Sequence, residues 1–148
     1  MLKISKLADY GSLIMNFLAR HPDQCFNASA VAEATRISLP TVSKLLKLLS
    51  DAKLLSSIRG SAGGYRLARD IHDISLVELL MAIDGAPALT ECSLGAKSCM
   101  QNDSCLVKHN WQMINALILK MLKNISVADM TQSLRLHPML KAMEHVYG

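Results

Sequence analysis

Aromatic residues are scarce in this chain: one Trp, three Tyr and two Phe among 148 residues. Leu, Ala, Ile and Met are abundant instead, a bias that favours helix over sheet. Long apolar runs are also missing. The most apolar stretches, such as NALILKMLK, meet a charge within a few residues, and none reaches the ~20 residues of a bilayer span. The first residues, MLKISKLADY, lack the apolar stretch and small-residue cleavage site of a signal peptide. Cysteines number four, and they do not fall in the pairs that a disulfide scaffold would want. These absences lead us to expect a soluble cytoplasmic protein with no membrane partner and with reduced thiols. The chain has no phosphate-binding glycine loop before a helix, no tight cysteine pair and no base placed beside a nucleophile, which argues against an enzyme. No internal repeat and no low-complexity linker interrupts it.

With 51% hydrophobic residues the chain can bury a real core, and its length fits one domain or one small domain with an extension. Charge is distributed unevenly. Residues 1–70 carry ten Lys or Arg against five Asp or Glu, and residues 71–148 carry six against seven. The first half is therefore suited to a polyanion and the second half is not.

Apolar residues at Leu7, Tyr10, Ile14, Phe17 and Leu18 mark one face of a helix from Ser5 to Ala19. A short alanine-rich helix follows over Ala28 to Thr35. Ser38 stands at the N-cap of a third helix, LPTVSKLLKLLSDA, with Pro40 in its first turn. Two strands, LLSSI and YRLA, are joined by RGSAGG, whose glycines suit a hairpin turn. Ser75 and Glu78 form a capping box before LVELLMAIDG, ended by Gly85. A long helix is expected from about Cys105 to Asn124, and Ser126 with Asp129 signals one more short helix. Helix, helix, helix, strand, turn, strand is the order of a winged helix-turn-helix. The expected fold is mainly α: a winged helix-turn-helix DNA-binding domain (1–84) with a two-stranded wing, a cysteine-rich loop (85–104), and a long C-terminal dimerisation helix with its tail (105–148).

If Val42, Leu45, Leu46 and Leu49 face the core, then Thr41, Ser43, Lys44 and Lys47 face outward. Hydroxyls near the start of such a helix, Ser38 among them, can reach base edges or phosphates, and the lysines neutralise phosphate. In the wing, Arg59 and Arg66 flank the turn that contains Gly60 and Gly64, where they can lie along a backbone or enter a minor groove. Six Lys or Arg against one acid lie between Ser38 and Arg69. The expected partner is double-stranded DNA. On the last helix Val107, Trp111, Ile114, Ile118, Met121 and Ile125 alternate at spacings of four and three, widened by Met113, Leu117 and Leu122. A seam of this kind predicts a homodimer, and a dimer predicts a pseudo-palindromic operator.

Three of the four cysteines, Cys92, Cys99 and Cys105, crowd into one polar segment. Soft thiolates in a long loop suit an iron–sulfur cluster (2Fe–2S or 4Fe–4S), whereas zinc fingers use pairs only two to four residues apart. Structural zinc and a metal-free thiol switch remain as alternatives. Cys25 lies far from the three and reads as a bystander.

The quoted motifs resemble those of a family. SKLADYG, LPTVSKLLKLL, RGSAGGYRLAR, LTECS with its two later cysteines, NWQMIN and SVADM resemble the IscR- and NsrR-like winged-helix regulators of bacteria over nearly the whole chain. The branch that regulates the SUF iron–sulfur assembly system is most similar. The resemblance implies a homodimeric repressor or dual regulator that senses an iron–sulfur cluster, or a nitric-oxide or redox sensor on the same scaffold. It carries Cys92, Cys99 and Cys105 over as cluster ligands. For the fourth position the IscR-like branch has a histidine three residues past the last cysteine; here Lys108 stands there and His109 one further on. The NsrR-like branch uses an aspartate from the first helix of the other subunit, which Asp9 matches. A small thiol or no protein ligand are the other options.

Overall fold

A computed structural model of the chain describes residues 4–61, 63–93, 104–132, 134, 137–139 and 141. The first three helices are α1 (Lys6–Ala19), α2 (Ala28–Thr35) and α3 (Leu39–Asp51). Each start has a local cause. The Ser5 hydroxyl accepts from the Ala8 amide, and the Asn27 side chain accepts from the Ala30 amide. Ser38 occupies the N-cap of α3 as expected, but its hydroxyl pairs with Thr41 Oγ1 at 2.8 Å rather than with an amide. Pro40 removes one of the two amides that an N-cap side chain normally reaches, and the Thr41 hydroxyl offers a competing partner. Between α2 and α3 the chain turns through Arg36 in the left-handed region (φ 55°), which drops Ile37 into the core.

The wing consists of β1 (Leu55–Ile58) and β2 (Gly64–Leu67), antiparallel, with Leu55 opposite Leu67 and Ser56 opposite Arg66. Gly60 takes φ 116° in the connecting turn, a conformation open to glycine. A third element joins the sheet at one residue. Phe26 pairs with Tyr65 through two backbone hydrogen bonds, 3.0 and 2.8 Å, and ties the wing root to the segment before α2. Gly64 permits that approach, since a β-carbon there would stand 2.5 Å from the Phe26 carbonyl.

A short 3-10 turn (Ile71–Asp73) leads to α4 (Leu76–Asp84), which opens with the expected capping box of Ser75 and Glu78. The core is built from Ile14, Met15 and Leu18 of α1, Val31 of α2, Val42, Leu45, Leu46 and Leu49 of α3, and Leu79 of α4. The last helix, α5, runs from Lys108 to Lys123, so it begins three residues later than expected. At its far end the chain is stitched to the start of α4. Leu76 donates to the Ile125 carbonyl at 2.7 Å and Val127 donates to the Ile74 carbonyl at 2.8 Å. This pairing turns Ile125 into the core at 9% exposure, so it leaves the seam in which its spacing had placed it. The signal at Ser126 and Asp129 corresponds to a 3-10 turn (Ala128–Thr131), where the Asp129 amide donates to Ser126 Oγ and the Ser126 amide to the Asp129 carboxylate.

Candidate functional site

The four residues assigned to the inner face of α3, Val42, Leu45, Leu46 and Leu49, are completely buried. Ser43, Lys44 and Lys47 are exposed as a consequence, and Thr41 is half-exposed beside Ser38. Arg59 and Gly60 are exposed at the tip of the wing, and Arg66 is exposed on β2. Among the described residues no acid forms an ion pair with Lys44, Lys47, Arg59 or Arg66, whereas Arg69 at the wing's base is tied to Glu78. The hydroxyls and cations singled out in the sequence thus lie on the solvent side of two adjoining elements, α3 and the wing. Gly64 differs from the others: it packs against the Phe26 backbone at the root.

Two carboxylates shape the domain behind this face. Partial burial raises the Glu78 pKa, but bonds from Arg69 and Ser75 outweigh it and hold the carboxyl below its ordinary range. Asp129 follows the same pattern: burial opposes, the Ser126 bonds prevail, and His137 and His72 add a favourable field. Both groups fasten structure, Glu78 at the head of α4 and Asp129 beyond α5.

The thiol loop lies between α4 and α5. Its entry is held by the Leu89 amide, which donates to Asn115 Oδ1 of α5 at 3.0 Å. Cys92 stands on a 3-10 turn, Glu91–Ser93, that packs on α5. Cys105 is a half-buried free thiol just before the helix begins. Cys99 and the Cys92 side chain lie outside the described residues. Asp9 is exposed in the first turn of α1, and His109 is exposed in the first turn of α5. Among the described residues no three His, Cys, Asp or Glu side chains stand close enough together to hold a metal. Cys25 is half-buried next to Phe26, apart from this loop in sequence.

Outward from α5 project Val107, Trp111, Met113, Ile114, Leu117 and Met121, all exposed, with Leu117 at 60%. Ile118 and Leu122 are half-buried instead, so Leu117 takes the place in the exposed stripe that the spacing had given to Ile118. Sequence reasoning missed Asn115. Its signal was a polar residue four after Trp111 and three before Ile118, on a helix otherwise read for its apolar residues. The Phe26–Tyr65 pairing left no sequence signal, because one paired residue has no period.

Comparison with known proteins agrees with the winged helix-turn-helix fold. The sequence profile of the Rrf2 family, described as iron-dependent transcriptional regulators, matches residues 4–133. The chain belongs to the Rrf2 family. The transcriptional regulator IscR of Vibrio campbellii is 29% identical to it over 130 residues, which are 87% of this chain and 77% of that protein. IscR of Xenorhabdus nematophila is 32% identical over 103 residues, 70% of this chain and 62% of that protein. The solved structure of T. potens IscR matches with a TM-score of 0.62 at 30% identity, covering 88% of this chain and 86% of that one. CymR, the global cysteine regulator of B. subtilis, matches with a TM-score of 0.67 at 22% identity, covering 88% and 96%, and so shares the fold. This member of the Rrf2 family is an IscR-like transcriptional regulator and not an enzyme. Among its described residues no helix is long and apolar enough to cross a membrane.

Proposed function

We propose that this Rrf2 regulator is a cytoplasmic homodimer that represses iron–sulfur cluster assembly (SUF) genes and reads cluster status through a cluster of its own, 2Fe–2S or 4Fe–4S. The observation that carries the reading is the thiol loop: three cysteines between α4 and α5, with Cys92's turn packed on α5 and Cys105 at its foot, in a family of iron-dependent regulators. Soft thiolates from Cys92, Cys99 and Cys105 suit iron, and the donor set fits a cluster better than a tetrahedral zinc. Asp9 of a second subunit is the leading fourth ligand, a hard and weakly held donor suited to a cluster meant to be lost, with His109 as the alternative. A bound cluster supplies an iron centre sensitive to oxidants and to iron supply.

The rest of the reading follows from this chain's own residues. Ser38, Thr41 and Ser43 approach base edges or phosphates, and Lys44, Lys47, Arg59 and Arg66 neutralise phosphate on a pseudo-palindromic operator. Gly60 lets the wing tip come close to the backbone, and Gly64 sets the wing on its root. The exposed stripe of α5 joins two subunits and so fixes the spacing of the two α3 helices. Cys92, Cys99 and Cys105 would hold the cluster in the segment that connects the winged domain to α5, so a change at these residues would act on that spacing. Anaerobic purification with iron, sulfide and zinc counts per subunit is the test. Matched iron and sulfide in a coloured protein support the reading; zinc alone, or no metal after reconstitution, rejects it.

A further inference from the structure

A cleft of about 250 Å³ opens between α1, the end of α2 and the 3-10 turn beyond α5. One surface of α1 lines it with Leu13, Asn16, Phe17 and Arg20, spaced as a single helix face. Thr35 of α2 and Thr131 of the turn stand on its other sides. Asn16 is buried, at 9% exposure. Its Nδ2 donates twice, to the Ser12 carbonyl at 2.9 Å and to the Val127 carbonyl at 3.2 Å. These two bonds fix the orientation of the amide, and among the described residues nothing donates to its Oδ1. A buried amide oxygen without a donor is costly, so this wall of the cleft offers an acceptor that a ligand can satisfy. The threonines extend it. Thr35 donates to the Val31 carbonyl at 2.7 Å and Thr131 to the Ala128 carbonyl at 3.0 Å, so towards the cleft both hydroxyls can only accept. Thr35 also ends α2, where the last carbonyls carry partial negative charge. The cation on this lining is Arg20, exposed at the end of α1, whose guanidinium has no ion pair or hydrogen bond among the described residues.

We propose that this cleft binds a free α-amino acid with a small apolar side chain: its ammonium on Asn16 Oδ1 and the Thr35 and Thr131 hydroxyls, its carboxylate on Arg20, its side chain against Leu13 and Phe17. Asn16 and Arg20 stand one turn apart on α1, a separation of about 5–6 Å between β-carbons, which suits a molecule that carries both charges on one carbon. A simple anion has no donor for Asn16, and a simple amine leaves Arg20 unpaired. The volume lies below the roughly 300–1,000 Å³ of drug-sized ligand sites, which selects a small metabolite. The site does not rest on the cluster reading. Its walls belong to α2 of the helix-turn-helix and to the turn that follows α5, so an occupant ties these two parts together.

The test titrates isotope-labelled full-length protein with L-leucine, with leucinamide, which lacks the carboxylate, and with isocaproate, which lacks the ammonium, and follows backbone amide shifts by NMR. Leucine is expected to saturate with a Kd on the order of 1 mM and to shift the amides around Asn16, Thr35 and Thr131. Each truncated probe is expected to bind at least about tenfold more weakly, since it leaves a polar group of the cleft unpaired. Arg20→Ala, at an exposed site, is expected to weaken leucine at least about tenfold and to make leucine and leucinamide equal. Should that variant not fold, Arg20→Gln is judged in the same way. No saturable shift up to roughly 20 mM leucine overturns the proposal, as does a cleft that a second subunit already fills, which gives the same result. Shifts confined to other parts of the molecule, or leucine binding unchanged by the loss of Arg20, overturn it as well.

Discussion

Lys53 occupies a position that glycine usually takes. The end of α3 is a Schellman motif, with Leu54 donating to the Leu49 carbonyl at 2.9 Å and Lys53 donating to the Ser50 carbonyl at 3.0 Å. Lys53 sits between them at φ 61°, where a β-carbon is crowded. Lys53→Gly is expected to raise stability by about 0.5–1 kcal/mol, measured as a higher urea midpoint at unchanged slope. Gly64 gives the opposite case. A β-carbon there meets the Phe26 backbone, which cannot rotate away, so Gly64→Ala should lower stability by about 1–3 kcal/mol and loosen the wing. The lowered pKa of Glu78 makes a pH prediction. A carboxyl whose folded pKa lies below its unfolded value adds stability above the unfolded pKa and loses it as pH falls through the folded one. Melting temperature should therefore drop as pH falls below about 4, and Glu78→Gln should flatten that slope. The contacts of Lys53 and Gly64 were not visible in the sequence, because each depends on a backbone angle or a distant partner; of Glu78's partners the sequence showed Ser75 but not Arg69.

At the scale of elements, far more was legible. The apolar face of α1, the alanine-rich run of α2, the period of α3 and the capping box at Ser75 placed four helices to within a residue or two and put the buried leucines on the correct side. What periodicity could not foresee was where α5 stops contributing to its own stripe. Ile125 continues the spacing, but two backbone hydrogen bonds to α4's entry pull it into the core, and tertiary pairing overrides the pattern. Two predictions belong here. Lys44→Ala combined with Arg59→Ala should weaken DNA binding and reduce the slope of log affinity against log salt by about two, read by fluorescence anisotropy. Leu117→Glu, which places a charge in the middle of the exposed stripe, should convert a dimer into a monomer in sedimentation and weaken operator binding by at least about tenfold.

The whole molecule consists of a basic winged domain and a long helix that packs on α4, and among the described residues the hydrogen bonds that secure this helix include two sets. One is the pairing of Ile74 and Leu76 with Val127 and Ile125 beyond the helix's C-terminal end; the other is the Leu89–Asn115 bond beside the thiol loop. The winged fold and the crowding of thiols were both readable from residue order, since element sequence and cysteine spacing are local facts. The second attachment was not, because it joins a loop amide to a polar side chain 26 residues away. The proposed function holds that the segment between α4 and α5 couples the winged domain to the helix, so that cluster state governs DNA binding. The direct measurement is an anaerobic anisotropy titration of cluster-loaded and apo protein, at one salt concentration, on DNA carrying the proposed target, a SUF operon promoter. The account predicts affinities that differ by at least about tenfold, a coupling of about 1.4 kcal/mol. Equal affinities for the two forms would contradict it.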